Sequence, residues 1–179
     1  MKSRFIVSAS MILLTVVLMA GTAMAWDEAK LRGEIQSLLD QVSAGMAKKD
    51  LAAVSATATP QAVIKYRNGQ TMTMAQWREA SAKDFADMQD IVSKFTVEQV
   101  WPKGKDQAGV VYKETHQFTR PSDPGHKHGI SARFRALLTR TPQGWRFLEF
   151  TDLGIQSTRD GQPFYPKAKQ PAAGAKTSK

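Results

Sequence analysis

The chain has 179 residues, a formal net charge of +9 and no cysteine. The length suits one domain with appendages. The missing cysteines exclude a disulfide framework, a thiolate metal site, a cysteine nucleophile and a lipid-anchored cysteine. The positive balance favours anionic neighbours such as membrane surfaces.

In chain order, the first segment reads as an export signal. Lys2 and Arg4 precede an apolar run from Phe5 to Met19, and Ala23-Met24-Ala25 follows as a small-x-small cleavage site. The run falls short of the roughly 20 apolar residues a membrane span needs. Residues 1–25 are therefore expected to be removed after Ala25, leaving a periplasmic or secreted protein; an uncleaved anchor is the alternative. Export argues against a nucleic-acid partner, and no RNA- or DNA-binding motif is present.

Trp26 to Lys48 reads as an amphipathic helix, because Leu31, Ile35, Leu38, Leu39, Val42 and Met46 recur every three or four residues. Asp50 is placed to cap a short second helix, "LAAVSAT", ending before Pro60. "AVIKYRNGQTMT" predicts a small hairpin, with Asn68 and Gly69 both able to take positive φ. Thr73 and Gln76 form a capping box for a third helix carrying Met74, Trp77, Phe85 and Met88. Four strands are then predicted, from about Ile91 to Trp101, Ala108 to Thr119, Gly129 to Arg140 and Trp145 to Ile155. The domain is expected over residues 26–157. Residues 158–179 are expected as a disordered basic tail, since the run after Tyr165 has little to bury.

Helices followed by four long antiparallel strands make an α+β fold. The passages "AKKDLAAVSATATPQAVIKYRNG" and "ARFRALLTRTPQGWRFLEFTD", with the Gly-Trp start to the last strand, resemble the nuclear transport factor 2-like superfamily. That superfamily includes ketosteroid isomerase, scytalone dehydratase and the SnoaL-like polyketide cyclases. The resemblance spans Trp26 to Ile155. It implies a cone-shaped curved antiparallel sheet wrapped around the N-terminal helices, enclosing a pocket, often in a dimer.

Alternation separates the strand faces. Ile130, Ala132, Phe134, Ala136 and Leu138 should face the helices, as should Val110, Tyr112, Glu114, His116 and Phe118. The "TPQG" turn is expected to pair Thr141 with Gly144 and hence Ala136 with Glu149. Trp145, Phe147, Glu149 and Thr151 would then face inward. Arg133 would meet Asp152 outside. Leu137, Leu148 and Phe150 would form a convex apolar patch, where the resemblance implies sheet-to-sheet homodimers. Lys113, Arg133, Arg135 and Arg146 make a basic outer stripe suited to anions or lipid head groups, so any membrane contact is expected through surface electrostatics alone.

The expected ligand-binding set is Tyr112, Glu114, His116, Phe134, Phe147 and Glu149, polar anchors on an apolar wall. His116 or Glu114 could act as a general base, with Tyr112 as a donor. The ketosteroid isomerase constellation of an aspartate base facing a tyrosine and a protonated aspartate has no full counterpart here. His116, His126 and His128, with Asp123, could in principle hold Zn, Ni or Cu. The bland reading of "FTRPSDPGHKHGIS" is a turn between two strands at the rim of the cone, and neither a metal nor a cofactor is expected. The leading expectation is a small-molecule or partner-binding envelope protein without catalysis. The alternatives are a cofactor-free isomerase, dehydratase or cyclase, and a pocketless interaction module.

Overall fold

The computed structural model describes residues 27–164. The expected export signal lies outside these residues, as does the tail from residue 165 onward.

Helix α1 (Glu28–Ala47) begins where the Asp27 carboxylate accepts the Lys30 N–H at 3.0 Å. Its periodic stripe of Leu31, Ile35, Leu38, Leu39 and Val42 is buried. Asp50 caps α2 (Leu51–Ala56) in the same way, accepting the Ala53 N–H at 2.9 Å. Strands β1 (Ala58–Lys65) and β2 (Thr71–Thr73) form the predicted hairpin. Of the two turn residues, only Gly69 takes positive φ, at 83°. Asn68 instead uses its side chain, accepting the Gln70 N–H at 3.0 Å. Helix α3 (Met74–Ala86) starts on the Thr73–Gln76 capping box, and Met88 lies beyond its end.

Four long strands follow: β3 (Gln89–Pro102), β4 (Gln107–Thr119), β5 (Lys127–Thr141) and β6 (Gly144–Arg159). A two-residue strand, β7 (Gln162–Pro163), folds back on β6. The turn between them is Asp160-Gly161, with φ of 52° and 78°. Positive φ at both centres matches the twist of a tight hairpin. Residues 158–164 are therefore part of the ordered unit rather than of a tail beginning at 158.

The sheet order is β2-β1-β6-β5-β4-β3. β1 runs parallel to β6, whereas the other neighbours are antiparallel, so the sheet is mixed rather than wholly antiparallel. The four-strand meander leaves the side of β6 unpaired, and the hairpin fills it. β3 remains as an edge. Its backbone groups are met by α1 side chains: Gln36 bonds Phe95 O and Val97 N–H, Arg32 donates to Val97 O, and Ser43 donates to Ser93 O. The helix thus blunts an edge that would otherwise invite another strand.

Two bulges in β6 decide which side chains enter the core. The register begins as expected, with Thr141 opposite Gly144 and Leu138 opposite Phe147. It then slips by one residue at Leu148, so that Leu137 pairs with Glu149 and Ala136 with Phe150. A one-residue slip moves every following side chain to the other face. Glu149 turns outward and binds Lys65 Nζ at 2.7 Å. Phe150 turns inward against Phe147, their ring centroids 4.7 Å apart. The expected convex patch of Leu137, Leu148 and Phe150 loses Phe150. Thr151 lies opposite Arg135 on the outer face, and Asp152 lies opposite Phe134 on the inner one. A second slip at Leu153 sets Arg133 against Gly154. Arg133 therefore pairs not with Asp152 but with Glu98, at 2.6 Å.

The cross-strand pair Trp101 and Gly109 shows why the latter is glycine. A Cβ on Gly109 would lie 2.1 Å from the Trp101 ring. Gly109→Ala is expected to displace the indole and cost about 1–3 kcal/mol of stability, read from urea unfolding; a cost near zero would mean that Trp101 does not lie there.

Candidate functional site

The inner faces of β3 to β6 and the three helices enclose one cavity of about 400 Å³. Ligand pockets span about 300–1,000 Å³ and are mostly apolar with a few convergent polar groups. Here the walls are Leu39, Val42, Phe95, Phe134, Phe147 and Phe150, with Met46, Met72, Met74 and Met88 as adaptable thioethers. Of the expected ligand-binding residues, Tyr112, Glu114, His116, Phe134 and Phe147 line it. Glu149 does not, because the bulge at Leu148 carries it to the outer face.

The polar wall comes from strand alternation. Tyr112, Glu114 and His116 occupy successive inward positions of β4, opposite Phe134, Ala132 and Ile130 of β5. The small Ala132 side chain leaves room in front of Glu114. Tyr112 is buried between Phe95, Phe134 and Phe147. Burial pushes its phenol well above the ordinary pKa near 10.0, and the Glu114 carboxylate pushes it further. At neutral pH it is a protonated donor.

His116 is held from both sides. Its Nδ1 lies 2.8 Å from Ser93 Oγ, and its Nε2 lies 3.4 Å from Glu114 Oε1. The Phe95 ring packs edge-on against it at 5.5 Å. A carboxylate can only accept. The neutral imidazole that fits both neighbours carries its proton on Nε2, facing Glu114, and accepts the Ser93 hydroxyl at Nδ1. A charged imidazolium donates to both. In either state both ring nitrogens face protein partners, and Glu114 is the acceptor offered to the cavity. The side chains of His116 and Glu114 are 11% and 16% exposed, so both are mostly buried yet reachable from the cavity.

Three contributions were not anticipated. Trp77, Ser81 and Phe85 recur every fourth residue along α3 and line the cavity, while Met74 is the helix's only fully buried residue. α3 thus roofs the cavity, and its four-residue spacing was the available signal. Tyr66 also lines the cavity; burial raises its phenol pKa and the Asp152 carboxylate adds to the shift. Asp152 could face Phe134 only through the slipped register. Ser93, the partner of His116, lies on the inward side of β3, in a stretch read from sequence only as strand.

The three histidines do not converge on a metal. His116 takes Ser93 and Glu114, His126 takes Asp160, and His128 lies 3.0 Å from Asp123 while stacking on Phe118. Among the described residues no group of three or more His, Asp or Glu could hold a metal ion. The loop from Arg120 to His126 is instead tied down at the rim. Asp87, just after α3, accepts from the Ser122 hydroxyl and N–H and from Arg120. Asp123 pairs with Arg159, and Asp160 accepts the Lys127 N–H at 2.9 Å.

These ties titrate. The Ser122 hydroxyl, followed by Arg120, holds Asp87 below its ordinary value near 3.8, and His126, followed by the Lys127 N–H, does the same for Asp160. A depressed carboxylate pKa gives stability that is complete above the ordinary range and lost as pH falls through the depressed value. Protection of the Ser122 and Lys127 amides from hydrogen exchange, corrected for intrinsic rates, should hold down to about pH 4 and fall below it. Asp87→Asn should remove the step at Ser122 alone. Loss of protection already near pH 6 would contradict this assignment.

The comparisons with known proteins agree with this architecture. The SnoaL-like domain model matches residues 27–151. No curated protein matches the chain. Among solved structures, a protein of Novosphingobium aromaticivorans provisionally described as an aromatic ring hydroxylase is similar at 21% identity and TM-score 0.61, covering 73% of this chain and 94% of that one. A ketosteroid isomerase-like protein of Erwinia carotovora atroseptica is similar at 16% identity and TM-score 0.54, covering 69% and 96%. A nuclear transport factor 2-like superfamily protein of Salmonella enterica is similar at 14% identity and TM-score 0.58, covering 70% and 92%. At these identities the structures share the fold, and fold alone does not assign an activity. A domain match over most of the chain, joined to helices closing an open curved sheet, identifies the protein as a member of the SnoaL-like domain family, with the nuclear transport factor 2-like α+β cone fold.

Proposed function

We propose that the protein is an exported carrier or sensor that binds a small, largely apolar molecule bearing one hydrogen-bond donor. The observation that carries this reading is Glu114: a carboxylate set in an apolar cavity, 3.4 Å from His116 Nε2 and with no hydrogen bond to either oxygen among the described residues. A carboxylate on a mostly apolar wall is poorly solvated, and a ligand hydroxyl would supply the donor that the wall lacks. Tyr112, protonated throughout the neutral range, would donate to an acceptor on the same ligand. The methionine-rich wall accommodates more than one ligand shape.

The test compares 2-naphthol with naphthalene by fluorescence titration of the purified protein. The two probes share shape and differ in one donor. Preference for 2-naphthol by about tenfold or more is expected, the size of one hydrogen bond to a charged group. Equal binding would remove Glu114 from the recognition, and binding of neither probe would overturn the carrier reading.

A second reading is favoured by one feature: Glu114 and the Tyr112 phenol line the same cavity two residues apart. That pair could remove a proton from a substrate and polarise it, as in a cofactor-free isomerase, dehydratase or cyclase. Because Nδ1 of His116 is taken by Ser93 and its Nε2 faces Glu114, the base would be Glu114. Turnover whose pH–rate profile collapses in Glu114→Gln would move the protein to this class.

A further inference from the structure

We propose that the outer face of the sheet docks on an anionic phospholipid surface. Four cations occupy adjoining positions there: Lys94 on β3, Lys113 on β4, and Arg133 and Arg135 on β5. Lys113 and Arg133 are directly opposite each other across the ladder, and Lys94 and Arg135 lie two positions along from that pair. Like charges placed directly across a ladder destabilise it, so folding does not account for the arrangement. The carboxylate expected to neutralise the stripe, Asp152, is turned to the inner face by the bulge at Leu148. Glu98 offsets Arg133, and Glu149 is taken by Lys65. Lys113 and Arg135 are exposed and form no ion pair among the described residues.

The face also has apolar contacts suited to the headgroup boundary. Val92 is 65% exposed and Trp101 is 37% exposed, near opposite ends of β3, with Lys94 between them. Indole rings and basic side chains are the residues that settle at a membrane–water interface. All three helices line the cavity on the inner side, so among the described residues no helix covers this face. A second copy related by a two-fold axis through the patch would bring cation against cation, whereas a surface of phosphodiesters complements the charge. Among the described residues no helix is long and apolar enough to cross a membrane, so the contact is peripheral. The surface is separate from the cavity and stands or falls independently of the ligand reading.

The test is co-sedimentation of the full-length protein with vesicles of phosphatidylcholine alone or with about one-third phosphatidylglycerol. At 50 mM NaCl the wild type is expected to partition about tenfold more strongly onto the anionic vesicles, and 500 mM NaCl should abolish the difference as charges are screened. The double variant Lys113→Glu, Arg135→Glu should lose most of it. Both chain ends are identical in the two proteins, so the comparison reads the sheet face and not the lysines near either end. A variant that binds as well as the wild type overturns the proposal, as does a wild type indifferent to phosphatidylglycerol. If charge reversal impairs folding by circular dichroism, the milder pair Lys94→Gln, Arg135→Gln is used, with a severalfold loss expected and an unchanged partition counting against the proposal.

Discussion

Phe147→Ala is expected to lower the free energy of unfolding by about 3 kcal/mol, toward the lower end for a buried phenylalanine. Phe147 is 1% exposed and lies against Phe150 and Tyr112. It is the last β6 residue before the bulge, and its N–H donates to Thr57 O at 3.0 Å, where β1 joins the sheet. Removing the ring takes away transfer energy and leaves a gap beside Tyr112. One side of the ring already borders the cavity, so part of the new space merges with existing volume, which argues against the highest costs. Urea unfolding measures the effect, and Phe147→Leu should recover more than half of it. A loss below about 1 kcal/mol would mean that the residue is not a pillar of the core.

The largest functional effect is expected at Glu114. Glu114→Gln keeps the shape of the side chain but loses the charge, and should weaken 2-naphthol binding about tenfold while leaving naphthalene unchanged. Glu149→Gln is the matched control. Glu149 was expected on the same wall, but it lies outside beside Lys65 in an exposed ion pair, a kind that contributes little. Its substitution should leave both probes unaffected. If Glu149→Gln disturbs binding as strongly as Glu114→Gln, the register of β6 described here is wrong. Ser93→Ala offers a finer reading: it frees Nδ1 of His116 and should weaken 2-naphthol binding less than Glu114→Gln does, because Glu114 itself remains.

The helix starts were legible from local chemistry alone. Asp27, Asp50 and the Thr73–Gln76 box each act on N–H groups within three residues, so nothing distant is needed to specify them. The inner faces of β4 and β5 were equally legible, since strict alternation of Tyr112, Glu114, His116 and of Ala132, Phe134, Ala136 leaves one way to bury the apolar set. The Asp160-Gly161 turn is a signal of the same local kind, within residues expected as a tail.

Tertiary structure alone decided the rest. "GWRFLEFTDLGI" alternates well enough to suggest one unbroken register, and only closure of a bent sheet against α1 and β1 requires the slips at Leu148 and Leu153. The slip at Leu148 exchanged Glu149 for Phe150 on the cavity wall and brought Asp152 inside, and the slip at Leu153 set Arg133 against Gly154. On the outer face Glu149 took the place of Asp152, but it pairs with Lys65 and not with the cations of β4 and β5. The parallel pairing of β1 with β6 and the roofing of the cavity by α3 likewise depend on which edges the meander leaves free. The sequence by itself determined the elements, the fold class and the Tyr112–Glu114–His116 wall, because periodicity and capping are local. The depth of the cavity, the partner of each histidine and the face carrying each β6 side chain came only with packing, because a bulge is the sheet's response to curvature and curvature is a property of the whole.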